Sequence, residues 1–100
     1  MIVTSGHFSL SPEQRRFKDA ISAYPYLLPY WDFDQRECDV EALRSMLNRF
    51  SEQENIMARF FAGVWLGENS LDFDLIIAAK SLDTSNQKVI TNWMALPEFP

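Results

Sequence analysis

The sequence predicts an all-α fold, a single small domain of about five short helices around a central apolar helix at residues 52–66. The first observation behind this prediction is that helix-start residues recur along the chain: Ser11, Asp39, Ser51 and Thr84. Each has a side-chain oxygen that can accept a hydrogen bond from a backbone N–H of the first helical turn. The second observation is that helix-ending residues follow three of the apolar runs: Pro25, Gly67 and Pro97.

The first helix is predicted over residues 12–23, after an irregular lead-in at residues 1–10. Ser11 and Gln14 have the spacing of a capping box, in which each side chain accepts from the other residue's backbone N–H. A single apolar stripe follows at helical spacing: Phe17, Ala20, Ile21 and Tyr24. Three residues of the lead-in are apolar enough to pack on the domain: Ile2, Val3 and Phe8.

Residues 24–33 are predicted to form a loop with extended character. Pro25 and Pro29 each disfavour helical backbone in the residue before them. The segment also contains five aromatic residues: Tyr24, Tyr26, Tyr30, Trp31 and Phe33. A loop this apolar is expected to pack on the domain or to contact a partner. We expect Tyr24, Leu27 and Phe33 to be core residues.

Two helices follow this loop. The second helix is predicted over residues 40–50, with these residues facing inward: Val40, Leu43, Met46, Leu47 and Phe50. The third is predicted over residues 52–66, and its apolar residues cover a broad arc: Ile56, Met57, Phe60, Phe61, Val64 and Trp65. A helix that is apolar over so much of its circumference is expected to be the central one.

The last two helices are predicted at residues 73–82 and 85–95. The apolar density of residues 73–82 also suits a buried strand, but Ala78, Ala79 and the helix start that follows favour a helix. The final helix is expected to turn four residues inward: Val89, Ile90, Trp93 and Met94. Residues 96–100 are predicted to form an extended tail, with Phe99 folding back onto the domain.

The composition is typical of one globular domain, with 47% hydrophobic and 23% charged residues and a net charge of −5. The acidity lies mostly in the second half, where three Lys or Arg stand against seven Asp or Glu. This charge disfavours nucleic acid and anionic membranes, which attract clustered cations. No run approaches the ~20 apolar residues of a membrane-spanning helix. The lone Cys38 excludes an intramolecular disulfide, and with no signal-peptide pattern it predicts a cytoplasmic location.

Residues 73–95 have the helix, short turn and helix pattern of DNA-binding helix-turn-helix units. In such units the second helix presents polar side chains to the major groove, and six residues are candidates: Ser85, Asn86, Gln87, Lys88, Thr91 and Asn92. Lys88 is the single cation of that helix, whereas phosphate contacts supply most nucleic-acid affinity. The turn also lacks glycine. A DNA-binding regulator is therefore the alternative function rather than the leading one.

The aromatic loop is the candidate partner-binding site. Tyr and Trp give a large contact area at low entropic cost and are frequent at binding hot spots. Three residues of the loop are spaced by prolines and are the candidate contacts: Tyr26, Tyr30 and Trp31. The structural alternative is that these rings close one end of the helical domain, as a small domain needs its aromatic residues inside.

No catalytic, cofactor or metal site is predicted. His7 is the only histidine and has no positioned acid beside it, and Cys38 has no evident base. The acidic segment at residues 32–41 begins with Asp-x-Asp, but Arg36 stands at the third ligand position and the turn glycine of a calcium loop is missing. Three glycines in the chain do not supply a phosphate-binding loop.

The sequence therefore predicts a non-catalytic protein–protein interaction module, an adaptor or inhibitor. Its expected partner is another protein or, as a homodimer, a second copy of the chain. The alternative is the DNA-binding regulator at residues 73–95. A further alternative joins the two, namely an acidic protein that occupies the nucleic-acid site of its partner.

Overall fold

The computed structural model describes residues 10–100, and within them the chain forms five α-helices. Their bounds are α1 Pro12–Ile21, α2 Val40–Met46, α3 Glu52–Leu66, α4 Leu75–Ser81 and α5 Thr84–Ala95. A short antiparallel hairpin, β1 Trp31–Asp32 and β2 Glu37–Cys38, pairs Trp31 with Cys38. The predicted all-α fold with a central helix at residues 52–66 is confirmed, and residues 75–81 form a helix rather than a strand. The expectations for Ile2, Val3, His7 and Phe8 lie outside the described residues.

The helix starts follow from local hydrogen bonds, as predicted, with one exception. Ser51 accepts from the backbone N–H of Glu54, and the Glu54 carboxylate accepts from that of Ser51, which completes a capping box before α3. Ser11 and Gln14 do the same before α1. The prediction of Thr84 as a cap was wrong. Asp83, one residue earlier, accepts from the backbone N–H of Asn86, so α5 begins at Thr84 itself.

Two helices end earlier in the structure than the sequence pattern predicts. Gly67 ends α3 in a left-handed conformation with φ of 71°, which glycine adopts without steric cost. The first helix ends at Ile21, two residues before the predicted end, and α2 ends at Met46. The chain then continues from α2 into a 3₁₀ turn at Leu47–Arg49, so the predicted helix at residues 40–50 is divided into two pieces.

The core is built around α3, as its broad apolar arc indicated. This helix contributes seven buried residues: Ile56, Met57, Ala58, Phe60, Phe61, Ala62 and Val64. The other helices each add one or two: Phe17 and Ile21 from α1, Leu43 from α2, Ala78 from α4 and Ile90 from α5. The small contribution of α4 matters for the surface described below.

The tail at residues 96–100 folds back over α1. Arg16 forms an ion pair with Glu98, with 2.8 Å between Arg16 Nε and Glu98 Oε1, and this hydrogen bond lowers the pKa of the Glu98 carboxyl. The Gln14 side chain donates to the carbonyl of Pro100 at 3.4 Å. The indole N–H of Trp93 donates to the carbonyl of Glu98 at 2.9 Å. These contacts hold the tail beside α1 and α5.

Candidate functional site

The aromatic loop packs on the domain, and its three candidate contact residues do not form one exposed cluster. Trp31 is only 7% exposed and lies 5.6 Å from the ring of Phe17, so its side chain is not available at the surface of the monomer. Tyr26 is half-buried between the rings of Tyr24 and Phe50, and this burial raises the pKa of its phenol. Tyr30 is also half-buried.

The burial of the loop follows from its backbone. A 3₁₀ turn at Leu28–Tyr30 leads directly into β1, and the hairpin then turns the Trp31 ring inward. Of the three expected core residues, Leu27 is fully buried, whereas Tyr24 and Phe33 are partly buried. The indole Nε1 of Trp31 is buried without a hydrogen-bond partner among the described residues. Trp31 therefore serves as a core residue.

Cys38 lies half-buried beside this loop, in a cleft of about 410 Å³. Three carboxylates lie along the cleft: Asp32, Glu37 and Asp39. Burial, with a smaller contribution from the charge of Asp39, raises the pKa of the Cys38 thiol to about 12. A thiol with a raised pKa is a weak nucleophile at neutral pH because the thiolate is the reactive form. This environment is the opposite of that of a catalytic cysteine.

We expect Cys38 to be alkylated by iodoacetamide much more slowly at pH 8 in the folded protein than in denaturant, where the pKa returns to about 8.5. In the folded protein the rate should rise as the pH approaches 12. Because the folded state holds this proton more tightly, its contribution to stability is complete below pH ~8.5 and is lost as the pH rises towards 12. Equal apparent pKa values in the folded and unfolded protein would contradict this prediction.

The structure places the six candidate DNA-reading residues on α5, but two of them bond within the domain. Asn86 accepts from the Tyr24 hydroxyl at 2.5 Å and donates to the Gln53 side chain at 2.9 Å. Gln87 donates to the backbone carbonyl of Ala79 at 3.1 Å. The other four are exposed: Ser85, Lys88, Thr91 and Asn92. Two of the three candidate amides are therefore engaged within the domain, and the third, Asn92, is exposed.

A different surface is conspicuous for its exposed aliphatic residues. Leu75, Ile76 and Ile77, which are consecutive in α4, are 46%, 68% and 49% exposed. Met94 of α5 and Phe99 of the tail are 51% and 61% exposed, although Met94 was predicted to face inward. We call these five residues the α4–α5 surface. A helix rotates by about 100° per residue, so three consecutive residues cannot all face the core.

An apolar groove of about 320 Å³ connects three of these five residues, Leu75, Met94 and Phe99. Phe60 and Trp93 line it as well. The residues that complete the lining are mostly apolar or small: Gly63, Val64, Gly67, Glu68, Asn69, Phe73 and Ile90. A second groove of about 220 Å³ shares Leu75, Ile90 and Met94 with the first and continues between α4 and α5. Leu75 and Met94 therefore border both grooves, whereas Ile76 and Ile77 are exposed on α4 and belong to the lining of neither groove.

The α4 segment carries opposite charges at its two ends. Asp72 and Asp74 precede it, and Lys80 lies in its last turn. The Asp74 carboxylate caps the helix by accepting from the backbone N–H of Ile77 at 3.0 Å. Asp72 and Lys80 are both exposed, and within residues 10–100 neither forms an ion pair with another side chain. The apolar surface is therefore bordered by an acidic end and a basic end.

Within the described residues, no group of three or more His, Cys, Asp or Glu side chains could hold a metal ion. No helix among residues 10–100 is long and apolar enough to span a membrane. No protein-family model, curated protein or solved structure matches the chain.

Proposed function

We propose that this protein is a non-catalytic protein–protein interaction module and that the α4–α5 surface is its binding surface. The observation that carries the proposal is the exposure of three consecutive residues of α4, Leu75, Ile76 and Ile77, the first of which lines an apolar groove together with the exposed Met94 and Phe99. Single exposed apolar residues are normal on proteins, whereas a contiguous apolar region rimmed by charged residues is typical of an interaction site. The free Cys38 favours a reducing compartment, and a cytoplasmic location is part of the proposal.

The energetics of α4 support this proposal. The helix has seven residues and buries only Ala78. Helices this short are marginal in water, and their stability in proteins comes mainly from packing an apolar face. Complete burial of a fully exposed Leu or Ile side chain is favourable by about 1.5–3 kcal/mol, and Leu75, Ile76 and Ile77 still have 46%, 68% and 49% of their surface to bury. A partner that covers this surface would therefore gain apolar burial and would also stabilise α4.

The DNA-binding alternative draws less support from the geometry. Asn86 and Gln87 bond within the domain, and Lys88 is the only basic residue of α5. The further alternative, competition for a partner's nucleic-acid site, depends on the acidic charge of the chain alone. Both remain separate outcomes of the experiment below.

The experiment uses three tagged proteins to capture binding partners from the native lysate. The three are the wild type, Ile76→Glu and the control Gln35→Glu. Gln35 is exposed in the turn between β1 and β2, so the control adds the same charge on another element. We expect the wild type and the control to retain a stoichiometric protein after nuclease and high salt, and Ile76→Glu to lose it. Capture that is unchanged by Ile76→Glu would refute the α4–α5 surface as the binding surface.

The nuclease arm separates the alternatives. Recovery of DNA, or of proteins that disappear after nuclease treatment, would support the DNA-binding function and contradict the proposal. In that case binding should weaken steeply with salt and with Lys88→Glu, as expected for phosphate contacts. Competition between this chain and DNA for one captured basic protein would identify the inhibitor form of the interaction module.

A further inference from the structure

We infer that the partner of the α4–α5 surface is a second copy of this chain, docked with α4 antiparallel to α4 about a two-fold axis. This inference rests on the proposed function and names its partner. In a two-fold interface the same patch is used by both copies, so every contact away from the axis occurs twice and the patch must complement itself. Three features of α4 meet that requirement.

The first feature is the direction in which α4 exposes its side chains. Ala78 faces the core, and Ile76 is two residues away, or about 200° around the helix. Lys80 is two residues from Ala78 in the other direction, so Ile76 and Lys80 share the outward face. Ala79, which is small and exposed, lies beside them and permits close approach of another helix. The most exposed aliphatic residue of α4 is therefore at the centre of its outward face.

The second feature is charge complementarity along the helix. Asp72 lies in the loop before α4, Asp74 is the N-cap of α4, and Lys80 lies in its last turn. When two copies of α4 pair antiparallel with Ile76 at the axis, the acidic end of each copy meets Lys80 of the other. A parallel arrangement would place like charges together. The exposed Asp72 and Asp74 carboxylates of each copy would thereby lie near Lys80 of the other copy.

The third feature concerns the alternatives to a second copy. A uniformly basic partner would match Asp72 and Asp74 but not Lys80, and a uniformly acidic one would match only Lys80, so neither complements both ends of α4. The complementary surface is an apolar helix with acidic residues before its first turn and a basic residue in its last turn, and α4 itself has this pattern. Because each copy has a net charge of −5, two copies repel each other in most other arrangements. Residues 75–81 avoid this repulsion, since Lys80 is their only charged residue.

The test is sedimentation equilibrium of the wild type over a wide concentration range, at about 0.1 M and about 1 M salt. We expect a reversible monomer–dimer equilibrium. Ile76→Glu should weaken it at least about tenfold, and Gln35→Glu should leave it unchanged. Lys80→Glu should weaken it roughly three- to tenfold at low salt and less at high salt. Circular dichroism checks that Ile76→Glu is folded, as expected at a residue that is 68% exposed.

A second variant tests the antiparallel geometry. In the Lys80→Glu protein, Asp72→Asn should recover part of the lost affinity. It removes the repulsion between the Asp72 carboxylate of one copy and the carboxylate introduced at position 80 of the other. Asp72 has φ of 57°, and asparagine is among the residues that tolerate this left-handed conformation. Stronger association of Lys80→Glu, or no effect of Asp72→Asn on it, would overturn the antiparallel pairing.

Crosslinking gives an independent readout. In a Cys38→Ser background, Ile76→Cys is expected to form a disulfide-linked dimer on mild oxidation, and Gln35→Cys is not. The bond requires the two Cα atoms to approach within about 7 Å, which the two-fold axis at Ile76 provides. A wild type that stays monomeric at every concentration would refute the second copy as partner. Loss of protein capture by Ile76→Glu would then still support the proposed function, so the two failures are distinguishable.

Discussion

Replacing Phe17 by alanine is expected to lower the free energy of unfolding by about 3–5 kcal/mol. The Phe17 ring lies 5.6 Å from Trp31, 6.4 Å from Phe33, 5.6 Å from Phe61 and 5.0 Å from Trp65, measured between ring centroids. One side chain therefore joins α1, the hairpin and the central helix. Its removal would lose the transfer free energy of the ring and leave a cavity among four rigid aromatic neighbours.

Urea unfolding followed by far-ultraviolet circular dichroism measures this loss. Domains of this size have a total stability of about 5–15 kcal/mol, so Phe17→Ala should be close to unfolding at 37 °C in the least stable case. Phe99→Ala is the matched control, because Phe99 is 61% exposed and, within residues 10–100, its one ring contact is with Trp93. We expect the control to cost less than about 1 kcal/mol. Equal losses at the two positions would contradict the central role of Phe17.

Gln53→Ala is expected to lower the free energy of unfolding by about 2–3 kcal/mol, because one amide holds together the ends of three helices. Its Nε2 donates to the carbonyl of Ser81 at 2.6 Å, and its Oε1 accepts from the backbone N–H of Asp83 at 3.1 Å. The same oxygen accepts from Asn86 Nδ2 at 2.9 Å, and Asn86 in turn accepts from Tyr24. Truncation would leave several polar groups without partners.

Hydrogen exchange distinguishes this effect from a general loss of stability. We expect Gln53→Ala to increase the exchange rate of the Asp83 backbone N–H, relative to the wild type, more than it increases the rates at the middle of α3. The reason is that the hydrogen-bond acceptor of the Asp83 N–H is removed. The control is Gln87→Ala, which removes one exposed side-chain hydrogen bond, to Ala79, and should cost less than about 1 kcal/mol. A uniform increase in exchange across the domain would contradict the local role of Gln53.

Helix starts could be predicted from the sequence because capping is local. Ser51 needs only the backbone N–H of Glu54, three residues away, and no distant part of the chain competes for it. The mistaken cap at Thr84 has the same origin. Asp83 is an equally good acceptor one residue earlier, and the spacing of apolar residues does not fix a helix start to a single residue.

The burial of the aromatic loop could be predicted in part. Its composition required a packing partner, but the sequence did not show which rings would face α3. Trp31 became buried because the hairpin aims it at Phe17, a contact between residues 14 positions apart that depends on the tertiary fold. Tyr24 bonds to Asn86 for the same kind of reason, as their positions are brought together only by helix packing.

The α4–α5 surface was missed because apolar density was interpreted as burial. Leu75, Ile76 and Ile77 look like a core segment in a linear sequence. Two features of the sequence could have predicted this exposure, namely the shortness of the helix and its three consecutive aliphatic residues. Only one or two of three consecutive helical residues can face the core. Hydrophobic periodicity shows which faces are apolar, but not whether the chain supplies a neighbour for each of them.

The position of Trp93 gives this domain a built-in optical probe. Its ring lines the apolar groove, contacts Phe60 at 5.6 Å and Phe99 at 5.5 Å, and is partly open to water. A Trp31→Phe and Trp65→Phe background would leave it as the sole indole fluorophore. Its emission would then report directly on whether the groove is wet or covered, so occupancy could be followed in solution without attaching a dye.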